Sequence, residues 1–237
     1  MKTKPVIVIT GASQGIGAAL AQEFARAVPG ARLALLARTA KNLQRTAAAC
    51  QKLGATARSF VCDVTDEFSV GQAAGSVSRA FGPADVLVNN AGAFTGRPFL
   101  DMALAEFDAL LAVNLRSVFL VSKAFVPAMA NRGRGHVFNL SSIAGLEAYP
   151  NGAGYCAAKF GVTGLGRVMR RELRASGVLV TNVHPGATWT PSWKASGIDR
   201  SRMMPASGVA RAIVDAWRLG PGTFVEDLVL RPPRGDV

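Results

Sequence analysis

Residues 6–17 read VIVITGASQGIG, and this stretch decides how the chain folds. The run Val6–Ile9 is apolar and β-branched, as expected for a strand that is covered on both faces. Glycines follow at positions 11, 15 and 17, and an amphipathic stretch comes next. A glycine-rich turn at the N-terminus of a helix lets backbone N–H groups and the helix dipole approach an anion closely. The stretch therefore predicts a dinucleotide phosphate site at the start of an α/β fold.

The alternation of apolar runs and amphipathic stretches continues along all 237 residues. This rhythm is typical of βαβ units and predicts a doubly wound Rossmann fold, with a seven-stranded parallel sheet flanked by helices. The predicted strands are Val6–Ile9, Arg32–Ala37, Thr56–Cys62, Val86–Asn89, His136–Leu140, Val178–Val183 and Phe224–Leu230. The predicted helices are Gly15–Ala27, Thr39–Leu53, Glu67–Phe81, Leu104–Met129, Ala153–Ala175 and Ala206–Leu219. No linker or repeat divides the sequence, so we expect one domain over residues 1–237.

Composition narrows the class of protein. Hydrophobic residues make up 49% of the chain and charged residues 18%, which supports a buried core and excludes disorder. The three cysteines, Cys50, Cys62 and Cys156, have neither disulfide nor metal-ligand spacing, so we expect reduced thiols and no metal site. The sequence shows no signal segment and no membrane-spanning run, so we expect a cytoplasmic protein that does not enter the membrane.

The charge balance raises one alternative function. There are 27 Lys and Arg residues against 15 Asp and Glu, a net charge of +12. Four arginines, Arg167, Arg170, Arg171 and Arg174, recur at helical spacing and would form a cationic stripe, which a nucleic-acid-binding protein could use. Stacking aromatics do not interleave with them and no basic tail is present, so a solvated helix face is favoured and no nucleic-acid partner is expected.

The turn has the form TGxxxGxG, and here the sequence resembles the short-chain dehydrogenase/reductase family. The resemblance extends over nearly the whole chain: Asp63 follows the third predicted strand, Asn89-Asn90-Ala91-Gly92 follows the fourth, and Pro185-Gly186 follows the sixth. It implies a dinucleotide cofactor and a small-molecule carbonyl or alcohol substrate. The cofactor-binding residues that we expect from the turn and the resemblance are Gly11, Ser13, Gln14, Gly15, Ile16, Gly17, Asp63, Val64, Asn90, Ala91, Gly92, Tyr155, Lys159, Pro185, Gly186, Thr188 and Thr190.

The residues after the second predicted strand distinguish NAD from NADP. A carboxylate there would hydrogen-bond the ribose hydroxyl of NAD. The strand is instead followed by Arg38 and Thr39, a guanidinium and a hydroxyl suited to a 2′-phosphate. We therefore expect NADP(H), with an ordinary surface arginine as the alternative interpretation of Arg38.

Tyr155 and Lys159 stand four residues apart on a predicted helix, so the phenol and the ammonium share one face. The cation, together with an oxidised nicotinamide, is expected to lower the pKa of the phenol by about 1–3 units. The resemblance implies the catalytic set Asn114, Ser142, Tyr155 and Lys159.

The resemblance also implies the role of each member of this set in a hydride transfer to a ketone. Tyr155 would donate a proton to the carbonyl oxygen. Lys159 would support Tyr155 and hold the nicotinamide ribose. Ser142 would polarise the carbonyl, with its neighbour Ser141 as a competitor for that role, and Asn114 would hold a water.

The sequence gives fewer indications of the substrate-binding residues and of the substrate. Residues 184–205 form the one long irregular stretch, and its Trp189 and Trp193 predict a lid over a substrate pocket that also holds Ser142 and Tyr155. Packing against the sheet edge is the alternative. Residues 185–193 and 226–232 are similar to bacterial sepiapterin reductase-like members of the family. That similarity implies a pterin ketone, beside a 3-oxoacyl thioester or another ketone or alcohol.

Two further expectations concern activity and assembly. A catalytically silent, NADP-sensing protein is an alternative to an enzyme, but all four catalytic positions are filled, which argues against it. The predicted helices Leu104–Met129 and Ala153–Ala175 carry more apolar surface than one sheet face needs. We therefore expect a homodimer or homotetramer.

Overall fold

The computed structural model describes residues 4–193, 197–220 and 222–235. Its strands are β1 (Val6–Thr10), β2 (Arg32–Ala37), β3 (Thr56–Val61), β4 (Val86–Asn89), β5 (Gly135–Leu140), β6 (Val178–Pro185), β7 (Thr188–Trp189), β8 (Met204–Pro205) and β9 (Asp227–Leu230). Seven of them form one sheet in the order β3-β2-β1-β4-β5-β6-β9, and all pairs in it are parallel. The two-residue strands β7 and β8 pair with each other outside this sheet. The predicted doubly wound fold with a seven-stranded parallel sheet is confirmed.

Helices cover both faces of the sheet. They are α1 (Gly15–Ala27), α2 (Ala40–Lys52), α3 (Glu67–Phe81), α4 (Leu104–Leu111), α5 (Ser117–Asn131), α6 (Ala153–Leu173) and α7 (Ala206–Arg218). A π-helical turn, Ala112–Arg116, joins α4 to α5, so the predicted helix from Leu104 is continuous to Asn131. All six predicted helices are present, with ends that differ by a few residues.

The core has one cluster on each face of the sheet. Side chains alternate along a strand, so Ile7 and Ile9 of β1 join the cluster beneath α1, α2 and α7, while Val6 and Val8 join the cluster beneath α3 and α5. Both sets are fully buried. Burial on both sides explains why β1 has no polar residue before Thr10.

The sheet order reverses at β1, and this reversal positions the functional site. Strand β1 pairs with β2 on one side and with β4 on the other. Crossovers that leave a parallel sheet in opposite directions open a crevice at the carboxyl ends of the strands, where such folds bind ligands. The glycine turn after β1 and the Asn-Asn-Ala-Gly segment after β4 both lie at this crevice.

The last strand is shorter than predicted. The sequence predicts a strand over Phe224–Leu230, but β9 begins at Asp227, where it pairs with Asn182 of β6. It is an edge strand with one neighbour, and its pairing with β6 ends at Pro185 opposite Leu230. Consequently β6 extends into the stretch that the sequence analysis treats as irregular from residue 184.

The helix Leu104–Asn131 is long and apolar enough to cross a membrane by length and composition alone. Its most apolar window has a mean hydropathy of 1.6, and 44% of that window is buried inside the protein. Val121, Phe125 and Met129 pack in the core beneath α3 and α5. One side of the helix therefore belongs to the core of the doubly wound fold.

Helix α6 lies close to β6 because it carries glycine at position 166. A methyl group there would overlap Oδ1 of the buried Asn182, whereas a methyl group on Gly164, half a turn earlier, meets open space. The two glycines thus form a matched pair on one helix.

We expect Gly166→Ala to lower the free energy of unfolding by roughly 1–3 kcal/mol, because overpacking shifts the helix from the strand. Gly164→Ala is the control, and it should raise stability by up to about 1 kcal/mol because alanine is the better helix former. Urea unfolding measures both. Equal shifts in the two variants would contradict the close packing of α6 on β6.

Candidate active site

The turn after β1 has the shape that an anion site needs. Gly11 and Gly15 adopt left-handed φ angles of +65° and +57°. A Cβ on Gly17 would overlap the carbonyl oxygen of Gly11. Helix α1 then begins with no acidic residue in its first turn, and Gln14 makes no capping hydrogen bond within this fully described segment. The N-terminus of α1 is therefore suited to bind an anion, such as the pyrophosphate of a dinucleotide.

The segment after β4 is tied to this turn. The hydroxyl of Thr10 accepts hydrogen bonds from the backbone N–H groups of Asn90 and Ala91, at 2.9 and 3.0 Å. The side-chain amide of Asn90 donates to the carbonyl oxygen of Thr10 at 2.8 Å. The two predicted cofactor segments thus form one wall of the crevice.

The loop after β6 reaches the same turn. A Cβ built on Gly15 would stand 3.2 Å from Cγ2 of Thr190. Gly186 donates from its backbone N–H to the carbonyl oxygen of Leu230 at 2.7 Å, and the Thr188 hydroxyl donates to Gly186 at 2.9 Å. Predicted cofactor residues from the loops after β1, β4 and β6 are therefore brought together.

Arg38, Thr39 and Asp63 lie at the carboxyl ends of β2 and β3. Arg38 and Thr39 are exposed, and residues 40–43 of α2 provide no acidic side chain in its first turn. Hydrogen bonds from the backbone and hydroxyl of Thr65 hold the pKa of Asp63 below its usual value, and the nearby charge of Arg38 contributes less. Val64 is buried beside them. Directly after β2 the corner thus presents a guanidinium and a hydroxyl, while the Asp63 carboxylate after β3 accepts from Thr65.

Ser142 and Tyr155 meet at the carboxyl end of β5. The hydroxyl of Ser142 is hydrogen-bonded to Tyr155, and it also lies 3.3 Å from the carbonyl oxygen of Pro185. Its neighbour Ser141 instead donates to the carbonyl oxygen of Lys159, at 3.0 Å, within the packing of α6. The structure therefore brings Ser142, and not Ser141, to the phenol.

Lys159 lies one helical turn from Tyr155, as the spacing predicts, but it does not face the phenolic oxygen. Its ammonium donates to the carbonyl oxygen of Leu140 at 2.7 Å and stands 5.5 Å from the centroid of the Tyr155 ring. Burial lowers the pKa of Lys159 to about 8. Lys159 is thus a buried cation close to its neutral form.

In the protein without an oxidised nicotinamide the pKa of Tyr155 shifts upward, and the downward shift expected with that cofactor stays a prediction. Burial raises the pKa of Tyr155 to about 12, and the hydrogen bond with Ser142 lowers it by less. The cause is that desolvation of the phenolate outweighs a cation that faces the ring rather than the oxygen. At neutral pH the phenol therefore keeps its proton and is able to donate it.

Asn114 lies in the π-helical turn and is fully buried. Its amide donates to the carbonyl oxygens of Ala93 and Leu110, at 2.8 and 3.0 Å, and its Oδ1 accepts from the N–H of Ala93 at 3.2 Å. A Cβ on Gly92 would stand 2.7 Å from that oxygen. Both amide hydrogens of Asn114 are taken by backbone, so its side chain fixes the segment that follows β4.

Phe94 is not among the predicted site residues, although it begins the loop Phe94–Leu100, which is expected to shape the substrate pocket. Its ring meets the Tyr155 ring edge-on, with centroids 5.2 Å apart and planes at 83°, and 53% of Phe94 is exposed. The only available signal is its position two residues after Asn-Asn-Ala-Gly, which does not show where its ring lies. Phe94 forms an apolar wall beside the phenol.

Different parts of the predicted lid, residues 184–205, lie in different surroundings. Met204 packs against the core cluster beneath α1, α2 and α7. Trp189 lies partly exposed, with the guanidinium of Arg200 5.7 Å from its ring centroid, and Trp193 is also partly exposed. Residues 194–196 of the predicted lid lie outside the described residues.

The cationic stripe on α6 is not one solvated face. Arg167, Arg171 and Arg174 are exposed, but the side chain of Arg170 is only 13% exposed and pairs with Glu226 and Asp227, both at 3.3 Å. The expectation of a uniformly solvated stripe is therefore wrong for Arg170, because the edge strand β9 covers it.

Comparison with known proteins agrees with this geometry. Residues 5–201 match the family described as short chain dehydrogenase. Sepiapterin reductase of Chlorobaculum tepidum is 35% identical over 99% of this chain and 98% of its own length. A metagenomic short-chain oxidoreductase in complex with NADP is 36% identical, with a TM-score of 0.84 over 96% of each chain. An alcohol dehydrogenase from Thermococcus sibiricus, complexed with 5-hydroxy-NADP, has a TM-score of 0.89 at 30% identity, over 98% of this chain and 97% of its own.

The buried Lys159 predicts a specific dependence of stability on pH. Its pKa is about 8 in the folded protein and near 10.5 when exposed, so above pH 8 the unfolded chain binds more protons and stability rises with pH. Relative to Lys159→Met, the wild type should gain roughly 2 kcal/mol between about pH 8 and pH 9.5. Urea unfolding at each pH measures the gain. The exposed Lys123 serves as control, since Lys123→Met should show no such trend, and a flat difference for Lys159→Met would contradict the burial of the cation.

Proposed function

The chain belongs to the short-chain dehydrogenase family, and we propose that it is an NADPH-dependent reductase that converts a ketone to an alcohol. The observation that carries the proposal is the contact between Tyr155 and Ser142 beside the glycine turn. A proton donor and a polarising hydroxyl at the mouth of a dinucleotide crevice are the groups that carbonyl reduction needs.

The cofactor is NADP(H). Structural relatives hold NADP or 5-hydroxy-NADP, and here the exposed Arg38 and Thr39 stand where a carboxylate would favour NAD. We assign the pyrophosphate to the turn Gly11–Gly17 and the nicotinamide side to the segment Pro185–Thr190. The geometry that supports this assignment is the contact of Thr190 with Gly15.

NADPH supplies a hydride to the carbonyl carbon when it is bound. The Ser142 hydroxyl donates a hydrogen bond to the carbonyl oxygen and stabilises the charge that develops there. Tyr155 then transfers its phenolic proton to that oxygen, which completes the alcohol. The charge of Lys159, 5.5 Å from the centroid of the Tyr155 ring, partly offsets the charge of the remaining phenolate. The raised pKa of Tyr155 favours this direction, because the proton is present at neutral pH and leaves readily only to a strong base such as a developing alkoxide.

We propose a pterin that carries a side-chain ketone as the substrate. Two observations support it: the similarity to a sepiapterin reductase over 99% of the chain, and the aromatic ring of Phe94 against Tyr155 at the mouth of the site. Aromatic side chains stack on flat heterocycles. A 3-oxoacyl thioester and simple ketones or alcohols are the comparison substrates.

We also propose that the protein forms a homo-oligomer through α4, α5 and α6. Phe119, Phe160 and Val168 are 50%, 46% and 51% exposed on these helices. A groove of about 510 Å³ lies there, with Leu115 and Leu165 among its lining residues. An apolar surface of this kind is typical of a contact with a second copy.

Tyr155→Phe tests the proton donor. NADPH affinity, measured by nicotinamide fluorescence, should stay within about twofold, while turnover of sepiapterin should fall at least about 100-fold because the proton is lost. The chain has two tyrosines, so Tyr149→Phe is the matched control and should retain most of the turnover. Full turnover in Tyr155→Phe would show that the assigned mechanism is wrong.

Arg38→Asp tests the cofactor preference. Removing a charge-assisted bond to the 2′-phosphate should weaken NADPH binding by about 10- to 100-fold and leave NADH binding unchanged or stronger. Arg45→Asp, on the exposed side of α2, carries the same charge change and should preserve the preference. An unchanged ratio of NADPH affinity to NADH affinity in Arg38→Asp would show that Arg38 is an ordinary surface residue.

A further inference from the structure

His184 is a fully buried residue of β6 that lies between Ser142 and the edge strand. Its Nδ1 stands 3.2 Å from the backbone carbonyl oxygen of Ser142, and its Nε2 stands 3.4 Å from Oδ1 of Asp227. Arg170 of α6 contacts both oxygens of the same carboxylate, at 3.3 and 3.4 Å. A chain of polar contacts therefore runs from α6 through β9 and β6 to Ser142.

Both ring nitrogens of His184 face groups that can only accept a hydrogen bond. One is a backbone carbonyl oxygen. The other is the carboxylate of Asp227: burial raises its pKa, but the hydrogen bonds from Arg170 and His184 and the charge of Arg170 outweigh burial and hold that pKa below its usual value. Asp227 is therefore ionised at neutral pH.

A neutral imidazole carries one N–H and one lone pair. Either neutral form of His184, whose own side chain is fully buried, would turn the lone pair of one nitrogen toward an oxygen, which is costly. Only a ring with a proton on both nitrogens satisfies both contacts.

The charges around the ring favour the same form. Asp227 of β9 is the carboxylate that contacts the ring. Arg170 from α6 pairs with Asp227 and also with the exposed Glu226, so these three side chains carry one net negative charge. Towards β5, Ser142 leads to Tyr155, which keeps its proton, and to Lys159, whose ammonium is bound to the carbonyl oxygen of Leu140.

We propose that His184 is held as an imidazolium by Asp227 and that it positions Ser142 for the reduction by donating to its carbonyl oxygen. The positioning role rests on the proposed function, whereas the protonation state does not. Pro185, which follows His184, accepts from the Ser142 hydroxyl at 3.3 Å. His184 thus contacts the backbone carbonyl of Ser142, and Pro185 contacts its hydroxyl.

Nitrogen-15 spectra of histidine-labelled protein at pH 7 test the protonation state without substrate or cofactor. The chain has two histidines, so His136→Gln assigns the signals. His136 is the internal reference, since burial lowers its pKa to about 4 and its ring is neutral at pH 7. We expect one neutral ring and one doubly protonated ring in the wild type.

In Asp227→Asn the His184 ring should become neutral, because an amide can donate to Nε2 while Nδ1 keeps its proton for Ser142. Two neutral rings in the wild type would overturn the proposal, and so would a His184 spectrum that Asp227→Asn leaves unchanged.

Kinetics test the positioning role. His184→Gln keeps a donor for the Ser142 carbonyl, and His184→Leu removes it. The kcat for sepiapterin should fall at least about tenfold in His184→Leu and recover largely in His184→Gln, with NADPH dissociation constants within about twofold. Wild-type kcat in His184→Leu would overturn the role.

The dependence of kcat on pH provides a second measurement that does not require His184→Leu to fold. Wild-type kcat should fall over the pH range in which the spectra show His184 losing a proton, and His184→Gln should lack this decrease. A wild-type profile without it overturns the positioning role. If none of the carbonyl substrates is turned over, the proposed function fails while the spectra still decide the state of His184.

Discussion

The close approach of two backbone segments at the carboxyl ends of β1 and β4 is the constraint on which the rest of the site depends. A Cβ on Gly11 would stand 2.9 Å from the Cα of Ala91, and one on Gly17 would overlap the carbonyl oxygen of Gly11. Only glycine allows this approach, and it aims the N-terminus of α1 into the crevice. Thr10 and Asn90 then fix the two segments to each other, so the cofactor side is built largely from backbone.

Burial sets the electrostatics on the other side of the crevice. It raises the pKa of Tyr155 to about 12 and lowers that of Lys159 to about 8, which in both cases favours the neutral form. A neutral phenol is an acid and a poor base, so this arrangement is suited to giving a proton to a developing alkoxide. Oxidation of an alcohol would require the phenolate, which this environment disfavours. The protonation state of Tyr155 in the free protein therefore follows from desolvation more than from the Tyr155–Lys159 spacing.

The sequence predicts the parts of this protein that local patterns encode. Apolar runs with no alternation locate the inner strands, and the turn between β1 and α1 is recognisable from its glycines. What depends on contacts between distant segments is not predicted. Local sequence pattern does not distinguish Ser141 from Ser142, and only the family resemblance favours Ser142. In the structure, the contact between Thr163 and Ser141 separates the two serines. The ring of Phe94 reaches Tyr155 only because its loop is bonded to the segment before α6, through Arg97 and Asn151.

Arg170 is another residue whose surroundings depend on a distant segment of the chain. Helical spacing groups it with exposed arginines, but β9 returns more than fifty residues later and places Asp227 against it. Tyr155 and Lys159 lie on the turns of α6 near the crevice, and Arg170 lies near its other end, so one helix contacts Ser142 and the edge strand. His184 connects these two contacts from β6. The edge strand, remote from the cofactor turn in both sequence and sheet order, therefore bears on the position of Ser142 through a buried charge.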